Sequence, residues 1–255
     1  MNELMLKWLN MLPPAAKAAT ELDNMMAIIH WLMLVLGVGW TIFFFGALIR
    51  FRKKRNPKAN YHGVQHKGST YIEIAVIVAE AVLLVGFAFP IWAKVVKEFP
   101  DDKEALKVRV VAEQFAWNFH YPGEDGLFGR QDVKLIASGN PLGLDMADAN
   151  AKDDIVTLNQ LYLPIDKPTV CYISSKDVIH NFGVYALRVK QDATPGLSIP
   201  LWFVPTKEGK YEVVCSQLCG IGHYRMRGFV NIVSAEKFEE WKKEQKADAK
   251  EDDSW

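Results

Sequence analysis

CSQLCGIGHYRM, residues 215–226, follows the strand-like run YEVVC and places Cys215, Cys219, His223 and Met226 within twelve residues. The spacing is C-x3-C-x3-H-x2-M: two thiols, an imidazole and a thioether, all soft or borderline ligands. Zinc takes cysteine and histidine but has little use for methionine, whereas copper accepts a thioether and blue-copper centres combine His, Cys and an axial Met. A mononuclear blue site needs one cysteine. The second, four residues away, leaves two alternatives: a disulfide, or two metals sharing sulfur. Copper sites in β-sandwiches draw a further histidine from a distant strand, and DVIHNFGV supplies His180 among apolar neighbours.

The surrounding sequence is of strand type. LKVRVVAE, FAWNFHY, IVTLNQLYLP, TVCYIS, NFGVYALRV, LSIPLWFVP, YEVVC and GFVNIV are short β-branched and aromatic runs divided by turn residues, which predicts an antiparallel sandwich or barrel. Cys171, in TVCYIS, reads as a small buried strand residue. From Ala235 the chain becomes AEKFEEWKKEQKADAKEDDSW, with Phe238 and Trp241 on one helical face, which predicts a surface helix and a charged tail over 235–255.

Ahead of the strands lie two apolar runs. MMAIIHWLMLVLGVGWTIFFFGALI, residues 25–49, has no charged residue, and at about 1.5 Å per residue it crosses a hydrocarbon core of about 30 Å. IAVIVAEAVLLVGFAFPIWA, between Glu73 and Lys94, is long enough as well. The first run is not a cleavable signal, because it is too long and is followed by a basic cluster instead of a small-residue cleavage site. Between Arg50 and Lys67 there are seven Lys or Arg and no acid, which places the loop 50–70 in the cytoplasm and everything after about Asp101 on the outer face. The expected organisation is an outer-face segment 1–24, a transmembrane hairpin 25–96, a β domain 101–234 and the helix with its tail. Glu73, near the cytoplasmic end of its helix, reads on position alone as a solvated carboxylate. Glu80, two turns deeper, reads as facing another subunit or a proton path, since a carboxylate at that depth needs a partner or water. With 30 basic and 30 acidic residues in 255, net charge is zero and nothing points to nucleic acid.

Taken in order, the hairpin, EQFAWNFHYPG, DVIHNF, QDATPG and CSQLCGIGHYRM resemble subunit II of haem-copper cytochrome c oxidases. The resemblance implies an α+β membrane protein, a two-helix hairpin followed by a cupredoxin-like Greek-key sandwich carrying binuclear copper A. It implies Cys215 and Cys219 as bridging thiolates, with His180 and Met226 on one copper and His223 and the backbone carbonyl of Gln217 on the other. It puts Glu73 at the mouth of a proton-uptake channel and Glu80 where the family usually has a proline. It implies subunit I, with the haems and copper B, as partner, a c-type cytochrome as donor, and a bacterial inner membrane as location. The oxygen-reducing site then lies in subunit I, and this chain carries no catalytic residue of its own.

Four departures stand out. Phe115 occupies the position of the first of two tryptophans in many relatives, where electrons arrive from cytochrome c, leaving Trp117. Gln217 replaces a common glutamate that helps bind magnesium, which puts magnesium in doubt because a neutral amide is a weaker ligand for a hard cation. Tyr185 replaces a frequent proline. Arg225 and Arg227 add positive charge beside the site, which disfavours a soluble basic donor and suggests a membrane-bound or tethered cytochrome; the chain itself has no C-x-x-C-H for a covalent haem. A thioredoxin-like metallochaperone would need one span and neither His223 nor Met226. A quinol oxidase subunit would lack the copper ligands, a zinc or disulfide module would not use methionine and a distant histidine, and nitrous oxide reductase lacks this hairpin.

Overall fold

Apolar residues fill nearly every position from 25 to 49, so the segment is a helix without a polar stripe. In the computed structural model, which describes residues 1–58, 61–63 and 65–252, it forms most of α2, Lys17–Arg50. Residues 59, 60 and 64 of the basic loop and 253–255 of the tail lie outside the described residues. Polar side chains in this span bond along their own helix: Thr41 Oγ1 donates to the Gly37 carbonyl at 2.7 Å, and His30 Nδ1 lies 2.8 Å from the Met26 carbonyl.

The second span runs through α3, Gly68–Leu83, a widened π turn, Leu84–Ala88, and α4, Phe89–Lys97. Pro90 explains the π turn. It has no N–H for the carbonyl four residues back, Gly86, and its ring crowds that carbonyl, so the wider turn absorbs the mismatch. Helical stretches of 34 and 30 residues are long and apolar enough to cross a membrane, with none of their most apolar stretch buried within the chain.

Two compact units result: Met1–Met11 with Glu21–Lys94, and Leu12–Thr20 with Val95–Trp255. The first begins with a short helix not expected from the sequence, α1, Asn2–Trp8. Residues 12–20, expected to belong with the rest of 1–24, instead fold with the strands. Ala15 N donates to Ala186 O at 2.8 Å, Lys17 N to Val204 O at 3.0 Å, and Thr206 N to Ala15 O at 2.8 Å.

Among the described residues, ten strands form a sandwich of two five-stranded sheets. One sheet has the order β3 (Ile155–Leu158), β2 (Ala116–Tyr121), β1 (Leu106–Glu113), β5 (Thr169–Ser175) and β8 (Ile199–Phe203). The other has β4 (Gln160–Pro164), β10 (Arg227–Val233), β9 (Gly209–Cys215), β6 (His180–Val184) and β7 (Val189–Ala193). The expected antiparallel pairing holds for most neighbours but not all: β1 runs parallel to β5 and β10 to β4. Alternation is clear in β1, where Val108, Val110 and Ala112 are fully buried and the residues between them are not. Trp117, Phe119, Leu161, Ile173, Phe182 and Val230 fill the space between the sheets.

IVTLNQLYLP is two strands, because Asn159 adopts a left-handed backbone, φ 56°, which asparagine tolerates better than most residues. The chain thereby leaves one sheet for the other. Asn159 is bonded on both sides of the switch: Trp117 N donates to its Oδ1 at 2.9 Å, its own N–H donates to Trp117 O at 2.7 Å, and Phe229 N donates to its carbonyl at 2.8 Å.

Residues 122–154 pass across the outer face of the first sheet. Their anchor is Asp154, whose carboxylate lies 2.6 Å from His120 Nε2 and accepts from Gly129 N at 2.8 Å and Gly123 N at 3.1 Å. Both side chains of the His120–Asp154 pair are fully buried. The helix expected from Ala235 is α5, Ala235–Asp252; its Trp241 stacks on Tyr162 with ring centroids 4.6 Å apart.

Candidate metal centre

Three strands converge on the soft ligands. β9 ends at Cys215, β10 begins just after Met226, and Cys215 N donates to Met226 O at 3.2 Å, closing the intervening loop as a hairpin. β6 begins at His180 and lies beside β9, with Phe182 opposite Cys215. A single 3-10 turn, His223–Arg225, lifts His223 back toward the cysteines.

Cys215 Sγ lies 3.7 Å from Cys219 Sγ, 3.8 Å from His180 Nδ1 and 3.1 Å from the Gln217 carbonyl. Cys219 Sγ lies 3.6 Å from His223 Nδ1 and 3.8 Å from Met226 Sδ. The sulfurs are far outside disulfide length. Their spacing suits ligands of a common ion: atoms held about 2.0–2.3 Å from a metal at near-tetrahedral angles lie roughly 3.3–3.8 Å from one another. The ligand atoms of His180, Cys215 and Cys219 all fall within 4.8 Å of one another, and all three residues are buried. Burial, reinforced by the neighbouring Cys215 thiol, pushes Cys219 up to about 12. A thiolate at Cys219 therefore needs a cation beside it, and with a second sulfur 3.7 Å away the donor set fits a thiophilic metal.

His180 is oriented from behind. Its Nε2 lies 2.8 Å from Asp177 Oδ1, leaving Nδ1 for the cysteine side. Partial burial pushes the Asp177 carboxyl up, but hydrogen bonds from His180, Gln114 N and Val178 N outweigh it, and the net shift is downward. Gln114 clamps the loop as well, its Nε2 donating to Cys219 O at 2.6 Å.

The sequence model of the periplasmic domain of cytochrome c oxidase subunit II matches residues 106–233. The alternative cytochrome c oxidase subunit 2 of Bradyrhizobium diazoefficiens is 32% identical over 91% of this chain and 83% of its own. Cytochrome c oxidase subunit 2 of Cereibacter sphaeroides is 31% identical over 90% and 77%. Among solved structures, the periplasmic domain of cytochrome oxidase subunit II of Bradyrhizobium japonicum is 27% identical, covering 58% of this chain and 97% of that one, at a TM-score of 0.43. The chain belongs to the cytochrome c oxidase subunit II family.

Membership makes it a subunit of a haem-copper terminal oxidase, an oxidoreductase complex that electrons enter through this family's subunit. Of the residues singled out in the sequence, the structure brings together His180, Cys215, the Gln217 carbonyl, Cys219, His223 and Met226. Trp117 joins them from the opposite sheet, fully buried, its ring centroid 6.3 Å from that of His180. Phe115 lies beneath the ligand loop, where a Cβ on Gly222 would fall 2.4 Å from its ring. Glu73 and Glu80 sit apart, on one face of α3 in the other unit and exposed. Arg225 and Arg227 are exposed beside the loop, Arg227 Nη1 lying 3.5 Å from Glu212 Oε1, and Tyr185 OH lies 3.2 Å from Ser216 Oγ.

Asp177 and Gln114 were missed in the sequence. Asp177 stands three residues before His180, a spacing that could have found it; Gln114 reaches Cys219 across 105 residues, and nothing local announces it.

Proposed function

We propose that His180, Cys215, the Gln217 carbonyl, Cys219, His223 and Met226 hold a binuclear copper centre that accepts electrons from a c-type cytochrome for delivery to haem in subunit I, where oxygen is reduced and protons are pumped. The observation that carries this is the pair of sulfurs 3.7 Å apart, each with its own nitrogen and a further donor within 3.8 Å. Copper held there supplies one-electron transfer. The chain's own residues keep its ligands still: Asp177 fixes the His180 ring, Gln114 fixes the Cys219 carbonyl, and His180, Cys219 and Met226 are at least nine-tenths shielded from water. Four of the five side-chain ligands, His180, Cys215, Cys219 and Met226, are buried, which suits a relay.

Leu218, Ile221 and Tyr224 are exposed around the ligand loop, and Arg225 and Arg227 flank them. An apolar rim with positive charge favours an electron donor that is membrane-bound or tethered over a freely diffusing basic one. Trp117 and Phe115 are the aromatic residues assigned to electron arrival, Trp117 beside His180 and Phe115 against the ligand loop. Glu73 is assigned to proton uptake, and Glu80 to the face toward another subunit or a proton path. Gln217 offers an amide in place of a carboxylate, a weaker contact for magnesium, while its backbone carbonyl remains the copper ligand. The proposed location is a bacterial inner membrane with the β domain on its periplasmic face.

Reconstitution of the full chain with copper tests the centre through metal stoichiometry and electron spin resonance. Two coppers per chain sharing one unpaired electron are expected. One copper per chain, a preference for zinc, or a signal that survives Cys219→Ser defeats the proposal. Turnover with a soluble basic cytochrome c as fast as with a membrane-bound donor defeats the assignment of the donor.

A further inference from the structure

The outer face of the first sheet carries a cavity that neither the metal ligands nor the aromatic pair use. It has a volume of about 390 Å³ and lies between β1, β5 and the segment 122–154. That volume falls within the range of small-molecule sites, roughly 300–1,000 Å³. The sheet side presents Arg109, Val111, Ser174 and Lys176, with Val111 and Ser174 opposite each other on β1 and β5. The covering segment adds an apolar wall of Ile136 and Leu142.

The chemistry of the sheet side is unbalanced. Arg109 is half-buried, and burial lowers its pKa, so its charge is costly where it stands. Its guanidinium stacks over Phe128 at 4.2 Å and reaches the Gly129 carbonyl only at 3.5 Å. Among the described residues it has no carboxylate within ion-pair distance. Asp154 is the acid that acts on it from a distance, but that carboxylate is engaged by His120, Gly123 N and Gly129 N. Lys176, by contrast, is matched by Glu113 at 2.5 Å. The hydroxyls of Tyr172, Ser174 and Ser198 have no side-chain hydrogen bond among the described residues. A guanidinium offers five donors in a planar fork, and among the described residues Arg109 uses one of them, on the Gly129 carbonyl at 3.5 Å, while the residue lines the cavity.

We propose that this cavity binds a small organic acid, its carboxylate on the Arg109 fork with hydroxyl support from Ser174, and its apolar stem against Val111, Ile136 and Leu142. Carboxylates match the fork in two parallel hydrogen bonds, which an amine or alcohol cannot do. The apolar wall adds selection against a bare inorganic anion. Val133 and Ile136, on the covering segment, are 83% and 45% exposed, so the mouth offers apolar surface to an arriving stem.

Calorimetric titration of the full chain in lipid nanodiscs tests the site with three probes: phenylacetate, phenethylamine with the same stem and opposite charge, and inorganic phosphate. Saturable binding of phenylacetate is expected, absent for phenethylamine, and weakened about tenfold or more by Arg109→Gln. No saturable binding of phenylacetate up to about 10 mM, a weak millimolar limit, overturns the proposal. Equal binding by Arg109→Gln, or phosphate binding as tight as phenylacetate, overturns it as well. Should Arg109→Gln not fold, Ser174→Phe keeps the cation and fills the cavity; it must abolish binding, and undiminished binding there refutes the site. None of these readouts involves copper, so the outcome is independent of the metal centre.

Discussion

Replacing Gly222 by alanine disturbs the ligand loop through a single ring. The backbone at Gly222 has φ −93°, which any residue adopts, so alanine meets no conformational penalty there. The added Cβ would lie 2.4 Å from Phe115 Cδ2 and 2.6 Å from Cγ. Carbon atoms in favourable contact are about 3.5–4.0 Å apart, so the overlap exceeds about 1 Å. The ring cannot simply withdraw, because it also packs against Gly220, where a Cβ would stand 3.2 Å from Cζ and where φ +136° admits glycine best. Overpacking of this kind costs about 1–3 kcal/mol. At about 2–4 °C per kcal/mol for a protein of this size, Tm falls by roughly 2–12 °C. Thermal unfolding of the full chain, followed by near-ultraviolet circular dichroism, measures it. The double variant Gly222→Ala, Phe115→Ala is the sharper test: once the ring is gone the alanine costs little, giving a coupling of about 1–3 kcal/mol. Additive effects of the two substitutions, or a Gly222→Ala protein as stable as the parent, would refute the steric argument.

Three further outcomes follow from the same structure. Asp154→Ala removes an acceptor from His120 Nε2, Gly123 N and Gly129 N and is expected to cost about 3–5 kcal/mol, with faster hydrogen exchange at Gly123 and Gly129 than elsewhere in the sandwich. Burial raises Tyr121 well above 10.0 and takes the Cys171 thiol from 9.0 to about 12. Both folded values exceed the unfolded ones, so their stabilisation is complete below pH 9 and is lost as pH rises toward 12; Cys171→Ala should reduce the slope of this alkaline loss by up to about 1.4 kcal/mol per pH unit, measured by denaturant titration. Trp241→Ala removes the stack on Tyr162 and the edge contact with Tyr121, 5.1 Å between centroids, and should cost about 3 kcal/mol or more and free α5, read as lost helical signal below the main unfolding transition.

The soft ligands could be foreseen because their chemistry is written in neighbouring letters. C-x3-C-x3-H-x2-M fits a loop between two antiparallel strands, and His180 sits at a strand start that DVIHNFGV already suggests. The spans were legible for the same reason, since hydrophobicity over twenty residues is a local property. Long-range facts were not. The parallel pairing of β1 with β5 and the return of residues 12–20 to the sandwich depend on which edges meet, and side-chain alternation is the same in either direction. Gln114 bonds Cys219 only after the sheets have stacked. The covering of Arg109 and His120 by residues 122–154 likewise escaped notice, because GEDG and GNPLG read as ordinary turns.

Asn159 sets the mechanical character of the site. Stacked sheets resist separation well but resist sliding poorly, because apolar contacts between them have little directional preference. One residue bonded to Trp117 on the first sheet and to Phe229 on the second acts as a pin against that shear. The Trp117 and His180 rings belong to opposite sheets, so their 6.3 Å spacing is held by this pin as much as by their own contact. Electron tunnelling falls off exponentially with separation, so on the proposed entry of electrons through Trp117 a loose pin would broaden the distribution of transfer rates before it lowered the melting temperature.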